Sequence, residues 1–389
     1  MNFPISAHIE QVHFPPISEV KAWVAGRSFA PERPLVDLCQ AIPDYAPPRE
    51  LTEHLKPLLD DPTTSKYSPD EGLPEARSAV AAWYARRYGA GPRPTEIVLT
   101  IGASQAFWLA MLVLCRAGDE VIVQLPAYFD HPMALTALGL RPVYLPFVAE
   151  RGGLPDPAAI DAAITDHTRA ILLVTPSNPT GATLPPALID ELFALARRRN
   201  VALVLDETYN AFLPGEAPHR LFAQPAWGEQ LVHIASFGKT FALTGYRAGA
   251  LVASERFLHH ALKVQDTMAV CQPRITQHAI RYGCEHLDAW VAANAAMMQA
   301  RHDAFRSAFS IPGNPFQLAA SGAFFAWVRH PFPGCSGREI VRRLALEADL
   351  LCLPGEVFGP GLDGYLRLAF GNISTAQIST AVERFRNLL

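Results

Sequence analysis

The stretch "SFGKTFALTGYRAG", Ser236 to Gly249, sets Lys239 among small residues just beyond the apolar run "LVHIA", with Arg247 eight residues further on. A lysine at the edge of a core usually lays its stem on apolar surface and keeps its charge in water. An amine with a chemical task needs more, because at its ordinary pKa of ~10.4 it is almost wholly protonated at neutral pH. To form a Schiff base with a carbonyl carbon it needs a depressed pKa or an activating partner. Other reactive groups stand at similar places in the chain. Asp206 ends the apolar run "VALVLD", Tyr209 follows in "LDETYNAF", and Asn178 lies in "PSNPTG".

Together these residues match the demands of pyridoxal phosphate. Its pyridine nitrogen needs a carboxylate to stay protonated, since the protonated ring is the electron sink. Asp206 offers one, and a buried carboxylate in turn needs a cationic partner. Tyr209 and Asn178 can donate to the phenolate oxygen. Ser236 and Arg247 bracket Lys239 and can hold the phosphate. "TIGASQAF", Thr100 to Phe107, reads as a strand running into a helix start. Free N–H groups at a helix start favour an anion, so the amides of Ala103 and Ser104 join the phosphate holders. Tyr128, in "LPAYFDH", can stack on the ring. Each feature alone has a plainer reading as a turn, a cap or an ion pair. Their joint order carries the weight.

Such a set has to be positioned by a scaffold. Short β-rich runs alternate with helical runs from "EIVLT" through "DEVIVQ", "RPVYLPF", "RAILLVT", "VALVLDE" and "LVHIAS", and "RAGALVA" reads as a further strand. This beat predicts a mainly parallel, helix-covered α/β sheet. Such sheets bind ligands beyond the carboxyl ends of their strands, where Asn178, Asp206 and Lys239 fall. Residues 48–284 are expected to form this large domain. Residues 1–47, proline-rich with a helical candidate at "SEVKAWVAG", are expected to join 285–389 in a smaller α+β domain. There, "LDAWVAANAAMMQARHDAFRSAF" reads as one long helix, and "GAFFAWVRH" and "GYLRLAFGN" as strands.

Composition narrows the function classes. The chain has 389 residues, half of them hydrophobic, and a net charge of −4, which leaves no basic footprint for nucleic acid. The six cysteines form no C-x-x-C pair, and a chain of this size needs no disulfide staples. No apolar run approaches the roughly 20 residues of a membrane span. The start "MNFPISAHIEQ" lacks a basic segment followed by an apolar one, so a cytoplasmic location is expected. No metal site is expected. His259 and His260 are adjacent and diverge by about 100° on a helix, and His278 and His286 have no obvious third ligand. Trp83, Tyr84 and Tyr88 follow helix spacing and read as packing residues.

The motifs, spread over nearly the whole length, resemble those of the class I/II aminotransferases, the fold-type I family of pyridoxal-phosphate enzymes. "PSNPTG", "LDETYNAF" and "SFGKTFALTGYRAG" carry that resemblance. It implies amino transfer between an L-amino acid and a 2-oxo acid through an aldimine on Lys239, with Asp206 and Tyr209 beside it. "YSPDEGLPEAR" resembles the segment whose tyrosine, here Tyr67, reaches the phosphate in the neighbouring subunit, implying a homodimer. "GYLRLAFGN" resembles the strand whose arginine, here Arg367, binds the substrate's α-carboxylate. Asn178 and Ala41 are implied substrate contacts too. Two departures stand out. Gly238 occupies a position where the family often has serine, and Ala41 in "QAIPDY" one where it usually has glycine. The residue set leaves open a β-lyase or decarboxylase on the same cofactor, and a ligand-sensing protein without catalysis. The substrate stays open as well.

Overall fold

A computed structural model of the chain describes residues 3–213, 215 and 217–388. Its centre is a seven-stranded sheet of β1 (Ile97–Ile101), β2 (Glu120–Gln124), β3 (Arg141–Leu145), β4 (Thr168–Val174), β5 (Ala202–Asp206), β6 (Leu231–Ala235) and β7 (Ala248–Val252). The spatial order is β1-β7-β6-β5-β4-β2-β3. All neighbouring pairs are parallel except the two made by β7, which runs against both β1 and β6.

The strands are apolar on both faces because both faces are covered. Successive residues alternate between two cores. Leu99, Ile171, Leu203 and Leu205 enter one, with the helices Pro74–Tyr88 and Pro186–Arg199. Val98, Leu172, Val204 and Leu251 enter the other, with the apolar helix Gly102–Leu114. The first two helices stop at left-handed residues, Gly89 and Asn200, and the Asn200 N–H satisfies end carbonyls where the chain turns.

A third core joins the two ends of the chain. Val36 and Leu38 pack there with Trp327, Leu351 and Leu366. Its sheet contains β8 (Gln317–Gly322), β9 (Phe325–Arg329), β10 (Leu353–Pro354) and β11 (Tyr365–Ala369), antiparallel in the order β10-β11-β9-β8. Val36–Asp37 pairs in parallel with Leu350–Leu351. The stretch before residue 47 is therefore more ordered than its prolines suggest, with a helical turn at Ala7–Glu10, the expected helix at Pro16–Ala22 and that short strand. The expected long helix is Asp288–Phe309. β8, weak in apolar pattern, is not foreseen from the sequence.

The third core meets the large sheet's loops closely. Gly181, at φ +74°, faces Gly322 so tightly that a Cβ on Gly181 would lie 2.2 Å from the Gly322 nitrogen. Only two hydrogens fit between these backbones.

Candidate active site

A cavity of about 210 Å³ opens at the carboxyl ends of the parallel strands, under the third core. Asp206 is the last residue of β5, and Asn178 follows β4. Ser236 and Lys239 follow β6, and Tyr128 follows β2. Arg247 precedes its strand, yet reaches the same edge because β7 is reversed, with Ala248 opposite Ile101. All of these line the cavity, as do Ala41, Ala103, Ser104, Tyr209 and Arg367. Tyr67 is the expected site residue that does not. It is 78% exposed.

One end of the cavity is a cradle for an anion. The helix Gly102–Leu114 begins directly at the end of β1. Gly102 has φ +72°, and a Cβ there would sit 2.5 Å from Arg247 Nη2. A Cβ on Gly249 would sit 2.4 Å from the Gly102 carbonyl carbon. Glycine at both positions lets the guanidinium lie against the helix start, where unpaired amides and the dipole favour negative charge. Ser236 does not cap the short helix Phe237–Thr240 that follows it, so its hydroxyl is free of that task. A Cβ on Gly238 would meet neighbours only at 3.4–3.5 Å, so crowding does not demand glycine there.

At the centre, Lys239 Nζ donates to the Ala41 carbonyl at 2.9 Å. Burial, then the positive charges of Arg247 and Arg367, bring its pKa down to about 8. This is the depression that an amine nucleophile requires. Asp206 is buried and accepts from the Thr208 N–H at 2.9 Å. His131 Nε2 lies 3.3 Å from its other oxygen. The Asn178 amide faces the hydroxyl of buried Tyr209, and Asn178 Oδ1 has no hydrogen-bond partner among the described residues. Burial pushes the Tyr209 hydroxyl above its usual range, so it stays a donor.

Arg367 closes the far side. It stands in β11, fully buried, and donates to the Cys39 carbonyl. Its Nε and Nη1 have no partner among the described residues. Its guanidinium lies 5.7 Å from the Phe325 ring centroid and 5.6 Å from that of Phe358. A buried cation with unused donors is costly unless an anion arrives. A carboxylate matches its planar fork.

Sequence reasoning missed Asp130 and His131, which also line the cavity. They directly follow Tyr128 in "AYFDH", a polar pair after a stacking aromatic, and that was the available signal. It also missed the role of Tyr84 and Tyr88. Both are buried packing residues as expected, and both also hydrogen-bond within a polar cluster behind β5. There His233 Nε2 lies 2.7 Å from Glu207 Oε2, and His219 Nε2 lies 3.3 Å from it. Tyr88 donates to the same oxygen, and the Tyr84 hydroxyl meets His233 Nδ1 at 3.1 Å. Glu207, His219 and His233 together resemble a metal-ligand set. However, His219 Nδ1 accepts from the Leu221 N–H at 3.2 Å, so the ring proton belongs on Nε2. A metal there would leave the ring without either proton, whereas Nε2–H suits a carboxylate acceptor. Burial alone would raise the Glu207 pKa, but His219 and His233 outweigh it and hold the carboxyl well below its usual range.

The fold and the cavity at its strand ends have the form of an enzyme site. The sequence profile of aminotransferase class I and II matches residues 33–385, and the chain belongs to that family. An aromatic aminotransferase of Arabidopsis thaliana is 28% identical over 357 residues, covering 90% of this chain and 89% of the relative. An LL-diaminopimelate aminotransferase of Nitratidesulfovibrio vulgaris is 28% identical, covering 96% of each chain. The solved aspartate aminotransferase of Thermus thermophilus with maleate superposes over 100% of both chains with a TM-score of 0.89 and 27% identity. The protein is thus an aminotransferase of the α/β, fold-type I architecture. Its similarity spans relatives with three different substrates. Among the described residues, no helix is long and apolar enough to cross a membrane.

Proposed function

We propose that the chain binds pyridoxal phosphate in this cavity and moves amino groups between an L-amino acid and a 2-oxo acid. The observation that carries this reading is the pairing of a deprotonatable Lys239 with a buried Arg367 whose Nε and Nη1 are unused. The residues present fit the cofactor. Ala103, Ser104, Ser236 and Arg247 would hold its phosphate. Asp206 would hold the pyridine nitrogen, Asn178 and Tyr209 the phenolate oxygen, Tyr128 the ring face and Lys239 the carbonyl carbon. When bound, the cofactor supplies an electrophilic carbon and an electron-accepting ring.

The chain's own groups do the rest. Arg367 and Asn178 orient the substrate by its α-carboxylate, so that the Cα–H bond faces the amine, an orientation effect. Lys239 Nζ, with its pKa brought down to about 8, takes the Cα proton and later returns one as acid. Asp206 keeps a negative charge in place throughout, with His131 and the Thr208 N–H fixing its oxygens.

The division into 48–284 and 1–47 plus 285–389 is supported by the third core, which gathers both chain ends. A homodimer in which Tyr67 reaches the neighbouring site is supported by the exposure of that aromatic ring. The cysteines, all free, suit a reducing cytoplasm. Purified protein should absorb in the visible. Lys239→Ala should lose that band and about 10⁴-fold in amino transfer. A colourless wild-type protein that the cofactor cannot reconstitute would sink the reading.

A further inference from the structure

We infer that Gln272 and Gln277 are positioning residues for the phosphate of the cofactor. Gln272 fixes the anion cradle, and Gln277 ties to it the segment that carries Tyr67. This rests on the cofactor and homodimer readings above. Neither glutamine lines the cavity. Both act from behind it, through bonds made wholly within this chain.

The cradle is held from the rear. Gln272 is fully buried at the junction between the helices Glu255–Ala269 and Arg274–His286. Its Nε2 donates to the Thr100 carbonyl, in β1, and to the Arg247 carbonyl at 3.3 Å. The Arg247 carbonyl also accepts from the Gly102 N–H at 2.8 Å. One side-chain amide thus bridges the two segments that form the cradle, the strand running into the helix start and the residue bearing the guanidinium. Gln272 Oε1 has no partner among the described residues, so the side chain is held by its donors alone. From the helix side, Gln105 Oε1 accepts from the Ile101 N–H at 2.7 Å. The junction itself is strained. Val270 stands at φ +58° and ψ −73°, with the Cys271 N–H turned to the Ala269 carbonyl at 2.7 Å. A β-branched residue adopts this conformation only where its surroundings force it. The turn it makes delivers Gln272 to the end of β1.

Gln277, also fully buried, extends the strap. Its Nε2 donates to the Gln272 carbonyl at 2.7 Å and to Ser68 Oγ at 2.8 Å. Its Oε1 accepts from the Leu73 N–H at 2.6 Å. Buried Gln265 donates to the Asp70 carbonyl. The turn Ser68–Leu73, which directly follows Tyr67, is therefore clamped along its length. A plainer reading is that buried backbone groups need partners and glutamine supplies them. That reading accounts for stability and predicts no bias towards phosphate. A strap whose two ends are both phosphate holders does predict one, because donors preset in direction bind an anion without a further ordering cost.

The test strips the full-length holoenzyme of its cofactor and titrates it with pyridoxal phosphate and with pyridoxal, which lacks the phosphate, following the visible band. Gln272→Met keeps the volume and loses the donors. It should weaken pyridoxal phosphate about tenfold and leave pyridoxal within about twofold. Gln272→Asn, whose amide falls one methylene short, should show the same split and stands in if the methionine variant does not fold. Gln277→Met should also weaken pyridoxal phosphate about tenfold, and in a Tyr67→Phe background that cost should shrink to about twofold, since the glutamine acts through that hydroxyl. Equal losses of the two ligands in the Gln272 variants mean a structural role only and overturn the inference, and so does no loss. A Gln277 cost that persists undiminished without the Tyr67 hydroxyl overturns its link to that segment. If the wild-type protein binds no pyridoxal phosphate, the cofactor reading has failed. If Tyr67→Phe alone changes nothing, the homodimer reading has. In either case the inference falls with it.

Discussion

Asp206 and Glu207 leave the end of the same strand for different surroundings. Asp206 lines the open cavity, with one histidine and one backbone N–H beside it. Glu207 sits behind the strand, where two histidines and a tyrosine converge on a single oxygen, Oε2. Both are buried acids, and adjacency in the chain says nothing of their difference. The contrast lies in how much bonding capacity each site leaves over. The front retains unfilled demand, at Arg367, Asn178 and the anion cradle. The rear meets one carboxylate oxygen, Oε2, with internal groups and leaves Oε1 without a partner among the described residues. A pocket that must receive a ligand keeps donors and charge facing open space, whereas a cluster that holds a fold together turns its strongest bonds inward.

Three substitutions can break or sharpen this contrast. Asp206→Asn should have the largest effect, a loss of about 10²–10³-fold in amino transfer, with the unfolding midpoint close to wild type. Glu207→Gln should do the reverse. It leaves histidine and tyrosine donors facing an amide, and urea unfolding should show a loss of about 3 kcal/mol. Its pH signature follows from the lowered Glu207 pKa. In the wild type the stabilisation is complete above the ordinary carboxylate value of ~4.3 and fades as pH falls below it. The variant should lack that acid-side decline. Tyr88→Phe should have the smallest effect, about 1 kcal/mol of stability from one lost donor, with turnover unchanged. If Asp206→Asn unfolds the protein while Glu207→Gln keeps stability and loses only turnover, the two roles have been assigned the wrong way round.

The sequence made the front far more legible than the rear. Lys239, Asp206 and Asn178 fall at strand ends because the beat of short apolar runs and longer helical runs dictates where the strands stop. Arg247 was readable as a neighbour of Lys239, but its approach from a reversed strand was not, since an apolar five-residue run does not announce its direction. Asp130 and His131 were hidden by local ambiguity: a polar pair at a helix start reads as a cap. The rear cluster was less legible still. Tyr84, Glu207, His219 and His233 come from four separate segments, and only tertiary packing brings them together. Tyr84 and Tyr88 share the spacing of any buried helix face, so periodicity reports that they are inside but not that their hydroxyls are used.

The contact between Gly181 and Gly322 has a mechanical consequence. Side chains at an interface absorb small displacements by shifting rotamer. Two glycine backbones in contact have no such slack. The loop bearing Gly181 also bears Asn178, and the strand bearing Gly322 is hydrogen-bonded to the one that precedes Arg367 in its sheet. This contact therefore resists a slide of either body past the other, and it ties the loop that carries Asn178 to the sheet that carries Arg367.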